Sequence, residues 1–207
     1  MKRGFFITLE GIEGAGKSSM VNYIKDFLTK DGHDVIKTRE PGGTNVGEQI
    51  REILLKNENN SLTPDTELLL MFAARAQHIK EVITPALSSG KTILCDRFID
   101  ATYAYQGGGR GIDASRINIL EKWVQSDLTP DLTLLFDLDV SVGIERTKKR
   151  SEADRFEQEK SIFFENVRSC YLERAKNEPN RFCIINSALP IQKVEDQIMA
   201  ILSRLEC

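Results

Sequence analysis

The chain has 207 residues, of which 41% are hydrophobic and 29% are charged, and its net charge is −3. This composition excludes a disordered or fibrous protein, and the acidic balance disfavours a general nucleic-acid binder, which usually carries a basic excess. No apolar run approaches the ~20 residues that span a bilayer. We therefore expect a single domain over residues 1–207 that acts on small molecules, with neither nucleic acid nor membrane as a partner.

Apolar strands alternate with amphipathic helices along the first half of the chain. In chain order, the pattern predicts a strand over residues 5–10, a helix over 17–30, a strand over 35–38, a helix over 46–55, a helix from 64 through 77 to 83 and a strand over 92–95. Asn45 is a plausible N-cap for the second helix. Pro85 should kink or end the long helix, because proline lacks an amide hydrogen.

The second half continues this alternation. It predicts helices over 115–124, 141–149, 161–176 and 191–205, and strands over 132–138 and 181–185. Such alternation forms right-handed βαβ units. We predict an α/β fold, with a parallel five-stranded sheet that has helices on both faces. Ligands of such sheets bind outside the carboxyl ends of the strands.

The cysteines show neither the pair spacing of a metal site nor the density of a disulfide framework. They are Cys95, Cys170, Cys183 and Cys207. Glu10 also interrupts the first apolar stretch before a signal peptide could develop. We expect a reducing, cytoplasmic environment.

Between the first strand and the first helix, eight residues fit the phosphate-binding pattern G-x-x-x-x-G-K-[ST]. They are Gly11, Ile12, Glu13, Gly14, Ala15, Gly16, Lys17 and Ser18. The glycines let backbone N–H groups surround an anion, and the following helix adds its positive end. Lys17 would reach the β- and γ-phosphates of ATP, and the Ser18 hydroxyl would ligate Mg²⁺. The alternative is a glycine-rich turn that binds nothing.

A P-loop alone does not separate switch proteins, ATP-driven machines and small-molecule kinases. The Asn-Lys-x-Asp and Asp-x-x-Gly segments expected of a switch protein do not occur in the sequence. The chain also has little room for a second functional domain. A small kinase is therefore favoured.

Three further motifs follow in order: residues 38–44 (TREPGGT), residues 95–98 (CDRF) continuing to 104–107 (AYQG), and residues 154–158 (DRFEQ). Together with the P-loop, they make the chain resemble the bacterial thymidylate kinases from residue 5 to about residue 191. The resemblance implies a P-loop nucleotide kinase that uses ATP and Mg²⁺ to convert dTMP to dTDP for dTTP synthesis. It also implies a homodimer.

The resemblance further implies a catalytic and metal-binding group of residues. Asp96 would join Ser18 at the Mg²⁺, and Arg97 would bridge the phosphates of the donor and the acceptor, which suits its planar fork. Glu13 would lie near the 3′-hydroxyl of the acceptor sugar and the metal. The alternatives are a structural Asp96–Arg97 ion pair and a solvent-facing Glu13.

The acceptor phosphate is assigned by resemblance to Arg39 and Arg51. For Arg51, a surface salt bridge with Glu48, three residues earlier, is an alternative. The resemblance also implies a cis peptide bond between Glu40 and Pro41, which would place the preceding arginine at the acceptor site.

Thymine recognition is assigned to the long helix and to the segment after Arg97. By resemblance, Arg75 donates to a base carbonyl, Gln106 reaches the other edge of the base and Thr102 lies beside it. Phe72 is predicted to stack on the base, although the family often has its phenylalanine one position earlier, where this chain has Met71. Ordinary core packing is the alternative for Phe72.

A cationic stretch lies where nucleotide kinases carry a mobile lid, so the resemblance implies a lid over about residues 146–158. A solvated charged face is the alternative. The family places its catalytic arginine either in this lid or after the P-loop glutamate, where this chain has Gly14. Arg150 is therefore implied to contact the transferred phosphoryl group, and Arg146 could pack on adenine by a cation–π contact. His33 and His78 are assigned no role.

Two other functions remain open at this stage. A deoxynucleoside kinase also combines a P-loop with an acidic residue and an arginine, but it needs a carboxylate base, and the Arg39 and Arg51 pair disfavours it. A non-catalytic nucleotide-binding regulator is the other alternative.

Overall fold

The computed structural model describes residues 3–59, 61–148 and 154–205, and a parallel sheet runs through them. Its strands are β1 (Phe6–Glu10), β2 (Val35–Arg39), β3 (Thr92–Asp96), β4 (Leu132–Asp137) and β5 (Phe182–Asn186). Their spatial order is β2-β3-β1-β4-β5, and every neighbouring pair is parallel. The predicted parallel five-stranded sheet is thus confirmed.

Most helices follow the predicted order of elements, with small shifts of their ends. The helices are α1 (Lys17–Lys30), α2 (Asn45–Leu55), α3 (Pro64–His78), α4 (Thr84–Ser88), α5 (Ile99–Thr102), α6 (Ala114–Gln125), α7 (Val140–Lys148), α8 (Ser161–Asn177) and α9 (Ile191–Leu202). Within the described ranges, no helix is both long and apolar enough to cross a bilayer.

Three local expectations need correction. Thr44, not Asn45, caps α2, because its side chain accepts a hydrogen bond from the N–H of Gly47. The long helix does not end at Pro85, since a π-helical turn over Ile79–Ile83 leads directly into α4. The sequence also did not predict helix α5 or the π-helical turn over Tyr103–Gly109 that continues it.

Helices cover both faces of the sheet. Neighbouring residues of a strand point to opposite faces, so one strand contributes to two clusters. Ile7 and Leu9 of β1 pack with residues of α1, α8 and α9. Phe6 of the same strand packs with residues of α3, α4 and α6. The predicted fold class is therefore confirmed on both sides of the sheet.

A buried ion cluster connects α5 to the far edge of the sheet. Asp100 is fully buried and lies 2.6 Å from Arg174 of α8 and 2.6 Å from Arg181, just before β5. Burial alone would raise the pKa of Asp100, but the two arginines more than offset this effect and lower the pKa below its usual value. The ionised carboxylate therefore stabilises the fold at neutral pH.

We expect Asp100→Asn to lower the free energy of unfolding by about 3 kcal/mol, because it removes the buried counter-charge of two partly buried arginines, which then keep only the half-exposed Glu178. Urea denaturation at pH 7 measures this change. Asp196→Asn, in an exposed pair with Lys193, is the matched control and should change it by less than about 1 kcal/mol. Equal losses in both variants would contradict the assignment.

Candidate active site

The P-loop follows a path that requires glycine. Gly14 and Gly16 have φ angles of +74° and +92°, in the left-handed region. A Cβ atom on Gly14 would also lie 2.4 Å from the carbonyl oxygen of Gly143 in α7. Gly16 precedes α1, and among the described residues no side chain caps this helix start. The first turn of α1 therefore keeps N–H groups that can donate to a phosphate.

Lys17 is buried against the loop that it follows. Its ammonium group donates to the carbonyl oxygens of Gly11 at 2.8 Å and Ile12 at 2.9 Å. Burial, followed by repulsion from Arg97, lowers the pKa of Lys17 to about 8. The loop thus holds an ammonium group that lines the cavity, close enough to the P-loop to bind a phosphate ligand.

β3 ends in a strained turn at Arg97, whose φ of +69° is uncommon for a residue with a side chain. The guanidinium donates to Glu13 at 2.9 Å and to the Tyr171 hydroxyl at 3.3 Å. It lies 4.6 Å from the centre of the Tyr105 ring, and the Tyr105 hydroxyl donates to Glu13 at 2.6 Å. Glu13 is therefore not a solvent-facing loop carboxylate, and Arg97 pairs with it rather than with Asp96.

A carboxylate that the sequence analysis did not assign to the site holds this turn. Glu10, the last residue of β1, accepts hydrogen bonds from the N–H of Phe98 and from the Tyr171 hydroxyl, both at 2.7 Å. Burial, followed by repulsion from Asp100, raises the pKa of Glu10 to about 7. The sequence did contain one sign of this role, since Glu10 is an acidic residue at the end of an apolar strand.

Asp96 and Ser18 line the same cavity beside the P-loop. The Oδ1 atom of Asp96 is buried, and no described group donates to it. A free carboxylate oxygen near a hydroxyl fits Mg²⁺, which keeps several waters and takes few protein ligands at phosphate sites. No group of three or more His, Cys, Asp or Glu side chains in the described ranges could hold a metal alone.

One cavity of about 230 Å³ joins most of the predicted site residues. The predicted residues that line it are Glu13, Gly14, Gly16, Lys17, Ser18, Arg51, Arg75, Asp96, Arg97, Thr102 and Gln106. Residues not predicted for the site also line it, namely Glu40, Pro41, Leu55, Met71, Phe98, Ala101, Tyr105, Asp154, Phe156 and Glu157. Gly11, Ile12 and Ala15 complete the P-loop without lining the cavity.

Two of the three guanidinium nitrogens of Arg75 donate to protein acceptors, and the third does not. Its Nε donates to Glu40 at 2.7 Å, and one Nη donates to the Phe98 carbonyl and to Thr102 Oγ1, both at 3.0 Å. The other Nη is buried and has no described acceptor. Because Arg75 lines the cavity, that nitrogen is the available donor for a ligand carbonyl.

His78 belongs to the support of Arg75, although the sequence analysis assigned it no role. The fully buried ring lies 2.9 Å from Glu40 through Nδ1 and 2.6 Å from Thr38 Oγ1 through Nε2. Glu40 thus contacts His78 and Arg75 together. A histidine one turn after Arg75 on α3 was the signal, but its partners come from a distant loop.

Gln106 is held by a buried carboxylate. Its Nε2 donates to Glu67 of α3 at 2.8 Å. Glu67 also pairs with Arg110 at 3.2 Å and with Arg155 at 2.7 Å. Glu67 was not predicted from the sequence, because its partners are up to 88 positions away in the chain.

The predicted stacking role of Phe72 is wrong for this geometry. Its ring is buried in the cluster with Leu68 and Phe98, and it does not line the cavity. The helix directs Phe72 into the core, 5.0 Å from the Arg75 guanidinium, while Met71 faces the cavity. Core packing, the alternative, is what the structure has.

Arg39 and Arg51 do not meet in one cavity. Arg51 lines the main cavity and donates to the Pro41 carbonyl at 2.9 Å. Arg39 is half exposed and lines a neighbouring pocket, where it lies 2.8 Å from Glu48. The salt bridge considered for Arg51 therefore forms with Arg39 instead. The predicted cis peptide bond between Glu40 and Pro41 is confirmed.

Arg146, in α7, lies at the edge of the P-loop. Its guanidinium donates to the Gly14 carbonyl and to the Ser187 carbonyl, both at 3.3 Å. Arg150 lies outside the described residues. The described part of the predicted lid places Asp154, Phe156 and Glu157 on the cavity.

Similarity to known proteins identifies the family of this chain. The sequence profile of the thymidylate kinase family matches residues 9–198. The chain is 56% identical to the thymidylate kinase of Pseudomonas entomophila, over 96% of this chain and 95% of that protein. It is 54% identical to that of Pseudomonas savastanoi pv. phaseolicola, over 98% and 96% of the two chains.

A solved structure extends the likeness to three dimensions. The crystal structure of thymidylate kinase from Ehrlichia chaffeensis superposes with a TM-score of 0.79 at 33% identity, over 97% of this chain and 99% of that chain. The match of fold, motifs and length confirms the resemblance drawn from the four motifs. The chain therefore belongs to the thymidylate kinase family, the phosphotransferases that convert dTMP to dTDP.

Proposed function

We propose that this chain transfers the γ-phosphoryl group of ATP to the phosphate of dTMP, with Mg²⁺ held by Ser18 and Asp96. The observation that carries the proposal is the shared cavity. The cavity is lined by the phosphate-binding loop with Lys17 and by Arg97. It is also lined by the polar side chains of Arg75 and Gln106. A donor phosphate and an acceptor base can therefore occupy one continuous space.

Positioning and charge neutralisation supply the catalysis in this proposal. The acceptor is already an anion, so no general base is needed. Lys17 binds the β- and γ-phosphates, Arg97 bridges the donor and acceptor phosphates, and Arg51 binds the acceptor phosphate. When bound, Mg²⁺ neutralises the charge of the donor phosphates.

The acceptor base occupies the part of the cavity near α3 and α5. The free Nη of Arg75 donates to a thymine carbonyl, and Gln106 binds the neighbouring edge of the ring. Thr102 lies beside the base and orients Arg75 through its hydroxyl. Met71 and Phe98 line the cavity and supply the apolar surface against which the base packs, in place of Phe72.

A coupled ADP-release assay across dTMP, dUMP, thymidine, AMP and CMP tests the function. We expect dTMP to be the best acceptor. Turnover of thymidine in preference to dTMP would identify a deoxynucleoside kinase. ATP binding without turnover of any acceptor would identify a regulator.

Residues 146–158 act in our proposal as a lid on a single-domain enzyme, with Arg150 at the transferred phosphoryl group and Arg146 beside the adenine.

The three described cysteines, Cys95, Cys170 and Cys183, are free thiols, which suits the proposed cytoplasmic environment. Cys207 lies outside the described residues.

An apolar patch supports the proposed homodimer. Trp123 and Ile119 lie one turn apart on α6 and are 79% and 65% exposed. The Asp65–Arg116 ion pair places the start of α3 beside α6, and Leu69, one turn after Asp65, is 55% exposed. Large apolar side chains grouped on one surface are typical of an interface.

The charge of Lys17 can be tested by pH. We expect the KM for ATP to rise by about tenfold or more between pH 7 and pH 9.5, because Lys17, with a pKa of about 8, loses the charge that binds phosphate. The KM for dTMP should change little, since arginines keep their protons in this range. Steady-state kinetics at saturating co-substrate measure both, and a flat KM for ATP would refute the role of Lys17.

For Arg150, we expect Arg150→Ala to lower kcat by about 10³-fold or more, because an arginine on the transferred group stabilises charge that spreads in the transition state. The KM for dTMP should stay within a few-fold, and thermal stability should not change. Arg146→Ala is the comparison and should mainly raise the KM for ATP. Near-normal turnover of Arg150→Ala would move the catalytic role to Arg146 or Arg155.

The proposed dimer can be tested by its molar mass. Trp123→Glu should convert the protein from twice to once its chain mass of 23.4 kDa in light scattering after size exclusion, because a charge would be buried at the interface. Ile162→Glu, on α8 and similarly exposed, is the matched control and should not change the mass. A wild-type protein that is already monomeric would refute the dimer.

A further inference from the structure

We propose that Glu67 is a positioning residue that fixes the orientation of the Gln106 amide, and thereby makes the site select bases that donate a hydrogen from the ring nitrogen. The inference rests on the proposed dTMP kinase function. Glu67 itself does not line the cavity and would not touch the substrate.

Glu67 is buried between two positively charged side chains. The side chain is 1% exposed and lies between two guanidinium groups, with Arg155 at 2.7 Å and Arg110 at 3.2 Å. A guanidinium group only donates hydrogen bonds, so each carboxylate oxygen of Glu67 faces a donor and acts as an acceptor. Any amide that contacts it must therefore present its NH₂ group.

Gln106 is the amide in question. Its Nε2 donates to Glu67 at 2.8 Å, and the side chain is 1% exposed while it also lines the cavity. If the amide flipped, its carbonyl oxygen would face the carboxylate, and two acceptors would be buried in contact. The carbonyl oxygen of Gln106 therefore remains as the polar atom for a ligand.

Arg75 supplies a hydrogen-bond donor to the same cavity. It can only donate, and Glu40 and Thr102 hold it so that one Nη remains free. The site thus combines a fixed donor with a fixed acceptor. Thymine and uracil offer a carbonyl next to a ring N–H, which matches this pair, whereas cytosine offers an amine next to a ring nitrogen that accepts.

Two buried carboxylates therefore determine the selectivity without touching the base. Glu40 orients the donor, and Glu67 orients the acceptor. A neutral group in place of Glu67 would allow the Gln106 amide to turn over and donate to cytosine. A site built in this way rejects the wrong base because buried polar groups would be left unpaired.

The test is the ratio of kcat/KM for dTMP to that for dCMP. In Glu67→Gln, we expect this ratio to fall by about tenfold or more, because the new amide can pair with either orientation of Gln106. Glu159→Gln is the matched control. It removes the other carboxylate bound to Arg110, leaves the Gln106 contact intact, and should keep the wild-type ratio.

A double-mutant cycle separates positioning from a general structural effect. Gln106→Met lacks the amide, so Glu67→Gln should not change the ratio further in that background. Equal effects of Glu67→Gln with and without Gln106 would overturn the proposal, as would an unchanged ratio in a folded Glu67→Gln enzyme.

Stability and function have separate readouts. Thermal unfolding and the KM for ATP show whether each variant is folded with an intact P-loop. If Glu67→Gln does not fold, Glu67→Asp keeps the charge but withdraws the acceptor from Gln106, and a wild-type ratio in that variant would overturn the inference. A wild-type enzyme that does not phosphorylate dTMP would instead refute the proposed function.

Discussion

The turn after β3 depends on one buried carboxylate, and both halves of the site depend on that turn. Glu10 accepts the N–H of Phe98 and the hydroxyl of Tyr171, and Arg97 is held between them in a left-handed backbone conformation. A strained residue of this kind persists only where its surroundings over-determine it. Asp96, just before the turn, faces the P-loop cavity, while the Phe98 carbonyl accepts from Arg75. The phosphate side and the base side are thereby held at a fixed distance.

Parallel topology explains why this arrangement is available. β1 and β3 are neighbours in the sheet, so Glu10 and the turn at Arg97 meet at the same edge. The carboxyl ends of parallel strands are the usual place for ligands, because the loops that follow them converge there. The base side is then built from α3 and α5, which pack on the same face of the sheet. Its polar groups are mostly fixed by buried carboxylates, with Glu40 and Glu67 as the clearest cases.

Local signals predicted more of this protein than long-range ones. The P-loop, the strand ends and the order of the elements follow from neighbouring residues, since the hydrophobic period and the glycine pattern are local properties. Phe72 was misassigned because its position three residues before Arg75 leaves both a core and a cavity orientation open, and only tertiary packing decides between them. Glu67, Glu10 and His78 were not predicted for the site because their partners lie 38 to 161 positions away. Arg39 lies 2.8 Å from Glu48, a contact that the sequence analysis did not foresee, and its role at the acceptor phosphate stays a prediction.

The packing of the P-loop on α7 gives a physical reason for the choice of catalytic arginine. Gly14 has a positive φ, and a side chain there would meet the Gly143 backbone at 2.4 Å; a Cβ on Gly143 would in turn meet the Glu13 carbonyl at 2.8 Å. An arginine at position 14 would therefore have to displace α7 from the loop. The same close approach lets Arg146 of α7 donate to the Gly14 carbonyl, which brings the start of the cationic stretch to the donor site. A protein built in this way has to bring its additional positive charge from the segment after α7, and this constraint supports a lid arginine over a P-loop arginine.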